Sequence, residues 1–153
     1  MRWVAFAPSG ALLLLLLFVL IYDLKHFKIR NNAVTALFVI AAIDLLVNDP
    51  VHTQIAHAVF ALVMSGLLLL FYLRGGIGGG DIKLLSVSFL SIGPENALLF
   101  CLMQMAFTLV FWLAARFDGF PSRPTSNGTA LPFAPAIASS WAIIVIMRVV
   151  GQS

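Results

Sequence analysis

Long apolar runs separated by short polar stretches cover most of this chain, at residues 4–22, 33–47, 53–73, 82–92, 96–115 and 132–150. A helix crossing a hydrocarbon core of ~30 Å needs roughly 20 residues, so each run predicts a membrane-spanning helix. The fourth run is shorter and stops at Gly93-Pro94, a pair that ends helices. It crosses only if the polar motif ahead of it is drawn in as its first turn; otherwise it is a short or re-entrant helix. The expected fold class is all-α, a polytopic membrane bundle of about six transmembrane helices, or about five plus the short one. Residues 1–153 are expected to form a single membrane domain. The one sizeable connection, residues 116–131, is rich in Pro, Ser, Gly and Thr and reads as a flexible loop.

Composition points to the same solvent. Hydrophobic residues make up 61% of the chain and charged residues 10%, with a mean hydropathy of +1.05. A soluble domain keeps about a quarter of its residues charged to present a wetted surface, so this chain must face lipid. Arg2 and the leucines at 12–17 look like the start of a signal peptide, but no small-residue cleavage site follows, and the segment is read as a retained first span. The net charge of +3 is small and calls for no nucleic-acid partner. Cys101 is the single cysteine, which excludes an internal disulfide and a cysteine-based zinc cluster. His52 and His57 do not share a helical face, so no metal site is expected there.

Charge placement orients the bundle. Lys25, Lys28 and Arg30 follow the first run, Arg74 follows the third with Lys83 close by, and Arg116 and Arg123 follow the fifth. The alternate loops hold Asp49 and Glu95 and no Lys or Arg. Because cytoplasmic loops collect basic residues, the three basic loops are expected in the cytoplasm and both termini outside. Asp44, late in the second run, is expected to snorkel or to pair.

Two carboxylates then stand out. Asp23 closes the first run, and Asp81 follows the glycine-rich stretch 75–80; both fall at the predicted cytoplasmic end. Ionisable groups at membrane depth are costly and point to function by default. Taken singly, each reads equally as an interface residue, and the glycines as a flexible or anion-binding turn. No phosphate-loop pattern is present, since Lys83 follows the Asp and Leu84, not Ser or Thr, comes directly after it. A converging pair has a specific use. Two carboxylates a few ångströms apart do not both ionise easily, so they share a proton. One member takes a proton from water while the other donates to a carbonyl oxygen. Glycines beside such a pair admit positive φ and leave room for a peptide backbone.

The stretch Gly76-Ile77-Gly78-Gly79-Gly80-Asp81-Ile82-Lys83-Leu84-Leu85 resembles the GxGD-x-K-L-L signature of type IV prepilin peptidases, a family of membrane aspartyl proteases. Asp23 and the residues to Asn31 resemble the family's D-x(5)-I-P-N stretch, with Arg30 in place of proline. Leu131-Pro132-Phe133-Ala134-Pro135 resembles its P-F-G-P start of the last span, with Ala134 in place of glycine. The resemblance implies Asp23 and Asp81 as the catalytic pair, with Gly78, Gly80 and Lys83 as motif support or substrate contacts. It implies prepilin or pilin-like membrane substrates, the bacterial inner membrane as the site, and no metal or cofactor. Lys83 is read either as a partner of a carboxylate or the substrate backbone, or as a lipid-facing anchor. With one cysteine and no room for the cysteine-rich insert of methylating members, the chain is similar to the short Flp/Tad-type form. The rival class is a small transporter subunit using both aspartates as a proton relay. Helix ends predict a raised pKa at Asp23 and a lowered one at Asp81.

Overall fold

The computed structural model describes residues 2–26, 29–75, 77–116, 123–125, 128–130 and 133–151. Among these, six helices form in chain order: α1 (Arg2–His26), α2 (Asn31–Asn48), α3 (Val51–Leu73), α4 (Gly79–Ile92), α5 (Ala97–Ala114) and α6 (Ala134–Gly151). Five of them are long and apolar enough to cross a membrane. The exception is α4, whose 14 residues reach only about 21 Å at 1.5 Å per residue. It does begin at Gly79, so the glycines and Asp81 supply its first turn as the short fourth run required. The result is five spanning helices plus a short one, a multi-pass membrane bundle.

Local chemistry sets the helix ends. The carbonyl of Arg30 accepts the N–H groups of Ala33 and Val34 at 3.0 and 3.2 Å, and Arg30 itself is extended at φ −77°, ψ 130°. Those angles are ones a proline also adopts, so arginine at this position keeps the turn that proline is expected to make. Pro50 starts α3 in the same way, accepting from Thr53 and Gln54. Gly93 ends α4 at φ +72°, a conformation that side chains resist. A Cβ there would also overlap the ring of His57.

The shortest helix is the most enclosed. Along α4, Leu84, Leu85, Val87, Ser88, Phe89, Ser91 and Ile92 are all buried, and it packs against α2, α3, α5 and α6. Helix α1 packs against α2 and α6, so those two helices lie between α1 and α4 and hold both. In contrast, α3 buries only His57 and Ala61, and α5 only Phe100. Their remaining faces suit lipid. Between helices in a bilayer the hydrophobic effect supplies no drive, so close packing and polar contacts must hold them. Small residues serve that need: Ala33 and Ala41 of α2 and Ala134, Ala136, Ala138 and Ser140 of α6 are buried. Trp141 of α6 donates from its indole N–H to Ser91 of α4 at 3.0 Å, which satisfies a polar tip that lipid cannot.

The connection expected to be flexible is in part ordered. Strands β1 (Arg123–Thr125) and β2 (Gly128–Ala130) pair antiparallel, with Arg123 opposite Ala130 and Thr125 opposite Gly128. Their ladder bonds satisfy backbone groups that a loose loop would leave to water. Residues 117–122, 126–127 and 131–132 of that connection lie outside the described residues, as do Lys28 and Gly76.

Candidate active site

Asp23 and Asp81 come to the same end of the bundle from different helices. Asp23 sits one turn before the end of α1 and is 4% exposed. The backbone N–H of Ala134, the first residue of α6, donates to its carboxylate. Asp81 is the third residue of α4, half-buried, and the charge of Asp23 acts on it. Burial first, and then that charge, push the Asp81 carboxyl up to about 6. The lowering expected from its helix end is therefore outweighed. A helix terminus contributes only about 0.3–1 kcal/mol, less than desolvation and a like charge together impose here. The lowering predicted at Asp81 from its helix end is thus reversed by its surroundings.

The glycines are short of space rather than loose. A Cβ on Gly78 would stand 3.0 Å from Asp81 Oδ2, and one on Gly80 would stand 3.3 Å from Ile29 Cδ1. A Cβ on Gly79 would meet the ring of Tyr72 at 3.4 Å. Gly78 and Gly80 thus let the Asp81 carboxylate fold back over the turn and let the segment before α2 press against it. Lys83 joins the same two segments. Its ammonium donates to Asn31 Oδ1 at 3.0 Å, so of the roles considered for it the side chain takes neither carboxylate as its hydrogen-bond partner. It ties the start of α4 to the start of α2. Around Asp23, Tyr22 stacks on His26 with ring centroids 4.2 Å apart, and the Arg30 guanidinium lies 5.8 Å over the Tyr22 ring.

Some of these partners carry a sequence signal and some carry none. Asn31 and Ala134 lie inside the quoted motifs, but nothing in the sequence marks Asn31 as the partner of Lys83 or the Ala134 N–H as the partner of Asp23. Ala134 is fully buried in the core, so its methyl is accommodated where glycine is usual. Ile29 is the isoleucine of the D-x(5)-I-P-N stretch, whereas Tyr72 has only its spacing from the glycines to recommend it. No group of three or more potential metal-ligating His, Cys, Asp or Glu side chains occurs among the described residues.

The opposite end holds a second polar cluster. Asp44 is 2% exposed and accepts from the Ser9 hydroxyl at 2.7 Å and from Asn48 at 3.0 Å. Arg148 of α6 reaches Asp44 at 3.5 Å and Asp49 at 3.3 Å, so Asp44 pairs as expected. His57, fully buried, places Nδ1 3.0 Å from the Leu90 carbonyl and Nε2 2.7 Å from Glu95. Burial alone would raise the Glu95 carboxyl. Its own backbone N–H, the hydrogen bond to His57 and the charges of His57 and Arg148 outweigh burial and hold it below its usual value.

Chemically, two coupled carboxyls, with that of Asp81 raised to about 6, can hold one proton between them. That pair can activate water and protonate a leaving group without a metal. Among known families, the type IV leader peptidase family (Peptidase_A24) matches residues 10–113, a segment that includes Asp23 and Asp81. No curated protein and no solved structure gives a significant match.

Proposed function

Since this chain belongs to the type IV leader peptidase family, and is thus a leader peptidase-type membrane protease, we propose that Asp23 and Asp81 are its catalytic dyad. The observation that carries this reading is the coupling of two carboxylates from different helices at one end of the bundle. The ionised member takes a proton from water, and the resulting hydroxide adds to the scissile carbonyl carbon. The protonated member donates to the carbonyl oxygen. As the tetrahedral intermediate collapses and the C–N bond breaks, the member that took the water proton gives it to the amide nitrogen, and the other takes a proton back from a gem-diol hydroxyl, so the pair again holds one proton. Gly78 and Gly80 keep the approach to Asp81 low, and Lys83 with Asn31 fixes the start of α4.

The proposed substrate is a prepilin or pilin-like membrane protein whose basic leader is cut off at the cytoplasmic face of a bacterial inner membrane. Charge supports that orientation. Lys25, Arg30, Arg74, Lys83 and Arg116 all belong to the Asp23–Asp81 end, whereas Arg148 at the far end is paired with carboxylates. The single cysteine supports the short Flp/Tad-type form and argues against methyl transfer. Co-expression with a candidate prepilin tests the reading: leader loss, seen as a gel shift, is expected with the native chain and not with Asp81→Asn. An unshifted substrate with the native chain, or an equal shift with both, overturns it.

A further inference from the structure

Helices α2 and α4 both begin at the Asp23–Asp81 end, run parallel and pack against each other. On the outer side of their contact they leave a groove of about 320 Å³, with Val34, Thr35 and Phe38 on one wall and Ile82, Ser86 and Val87 on the other. Lys83 stands at its mouth, bonded to Asn31. We infer that this groove seats the first turns of the apolar segment that follows the leader in the substrate. The inference rests on the peptidase reading and locates the substrate within it.

Position supports this occupant first. Ile82 and Lys83 follow Asp81 in the chain, so the groove starts at the depth of the dyad. From residue 82 to residue 87 it runs about 7.5 Å along α4, toward the bilayer interior. A chain cut at the dyad and continuing into the membrane passes along these walls. The lining supports it second. Val34, Phe38, Ile82 and Val87 are apolar, which suits a membrane segment and not a soluble peptide. Thr35 and Ser86 are small, which lets another helix come close, the usual composition of helix contacts in lipid. The Thr35 hydroxyl is already used on the Asn31 carbonyl at 3.1 Å, so its methyl is what it offers. A lipid chain or a second copy of this protein would fill the same walls without any reason to begin at Asp81.

The test uses the full chain in vesicles of phosphatidylethanolamine and phosphatidylglycerol with two reporters. One joins a basic leader to a single apolar helix; the other joins the same leader to a water-soluble sequence. A photo-crosslinking residue at Phe38, in an Asp23→Asn background that cannot cut, is expected to capture the anchored reporter. Ser86→Trp is expected to lower the ratio of anchored to soluble cutting by about tenfold, the scale of lost contacts in an apolar pocket, through KM and not kcat. Leu98→Trp on the lipid face of α5 is the control, expected to leave both rates as they are. Crosslinks to lipid alone or to a second copy overturn the seat, as does an unchanged cutting ratio in Ser86→Trp. Cutting without capture removes the seat and keeps the peptidase reading; capture without cutting by the native chain does the reverse.

Discussion

At the end of the bundle away from Asp23, Asp44 is almost fully buried and is met by Ser9, Asn48 and Arg148, and Glu95 is met by His57. At the other end Asp81 is half-buried, and the charged group acting on it is another aspartate. Two carboxylates in one small protein therefore move in opposite directions: Glu95 is held below its usual pKa and Asp81 is raised to about 6. The difference lies in what surrounds each. Compensating partners make the buried charge of Asp44 tolerable, and Glu95, half open to solvent, is kept chemically quiet by its own. A like-charged neighbour with incomplete compensation makes a proton easy to hold and to give up near neutral pH, which is what acid–base chemistry uses. One end reads as a clasp, the other as the proposed reactive site.

The largest effect expected from breaking this contrast is at the dyad. Asp23→Asn and Asp81→Asn should each reduce leader cleavage by more than about a thousandfold, since an amide cannot exchange donor and acceptor roles. Both variants should still insert and resist unfolding in detergent as the native chain does. Processing at a comparable rate by either one removes it from the dyad.

At the clasp the expected loss is in stability. Arg148→Ala leaves Asp44 and Asp49 without their cation and should cost about 3–5 kcal/mol, the scale for breaking a buried pair. Thermal unfolding in detergent should show it, with cleavage per folded molecule preserved. An unchanged unfolding midpoint would mean that the Arg148 contacts contribute nothing.

The pH profile should separate the ends further. In the proposed mechanism the dyad works with one proton, so activity should be lost as pH rises through the upper pKa of the pair. With Asp81 raised to about 6, log activity should fall with a slope of about −1 above that value, and the value belongs to the pair rather than to one residue. Glu95→Gln, at the clasp, should leave the limb where it is. A limb that moves with Glu95→Gln would show that the two ends are electrostatically linked.

The smallest effect is predicted at the brace between α2 and α4. Lys83→Ala and Asn31→Ala should each lower kcat by about tenfold, and the double variant should be no worse than either single one, because the two side chains act through one hydrogen bond. Simple additivity would show that they work independently. A Lys83→Ala loss equal to that of Asp81→Asn would make Lys83 essential.

Much of the fold was legible from hydropathy alone. In lipid every backbone polar group must be satisfied inside its own segment, so a long apolar run has to be a helix. The runs at 33–47 and 96–115 accordingly differ from α2 and α5 by no more than two residues at either end. Asp23 and Asp81 were legible as candidates as well, because charge in an apolar chain is rare enough to stand out and both lie in motifs with ordered spacing. What the sequence left open was which faces meet. Lipid-facing and bundle-facing positions are both apolar here, so no polar stripe marks the inner side of a helix. The enclosure of the shortest helix followed only from packing, as did the links from Lys83 to Asn31, Arg148 to Asp44, His57 to Glu95 and the Ala134 N–H to Asp23. The raised pKa of Asp81 has the same origin, since burial and a neighbouring charge are properties of three-dimensional surroundings. Helix-end reasoning saw only the local term, which is the weaker one.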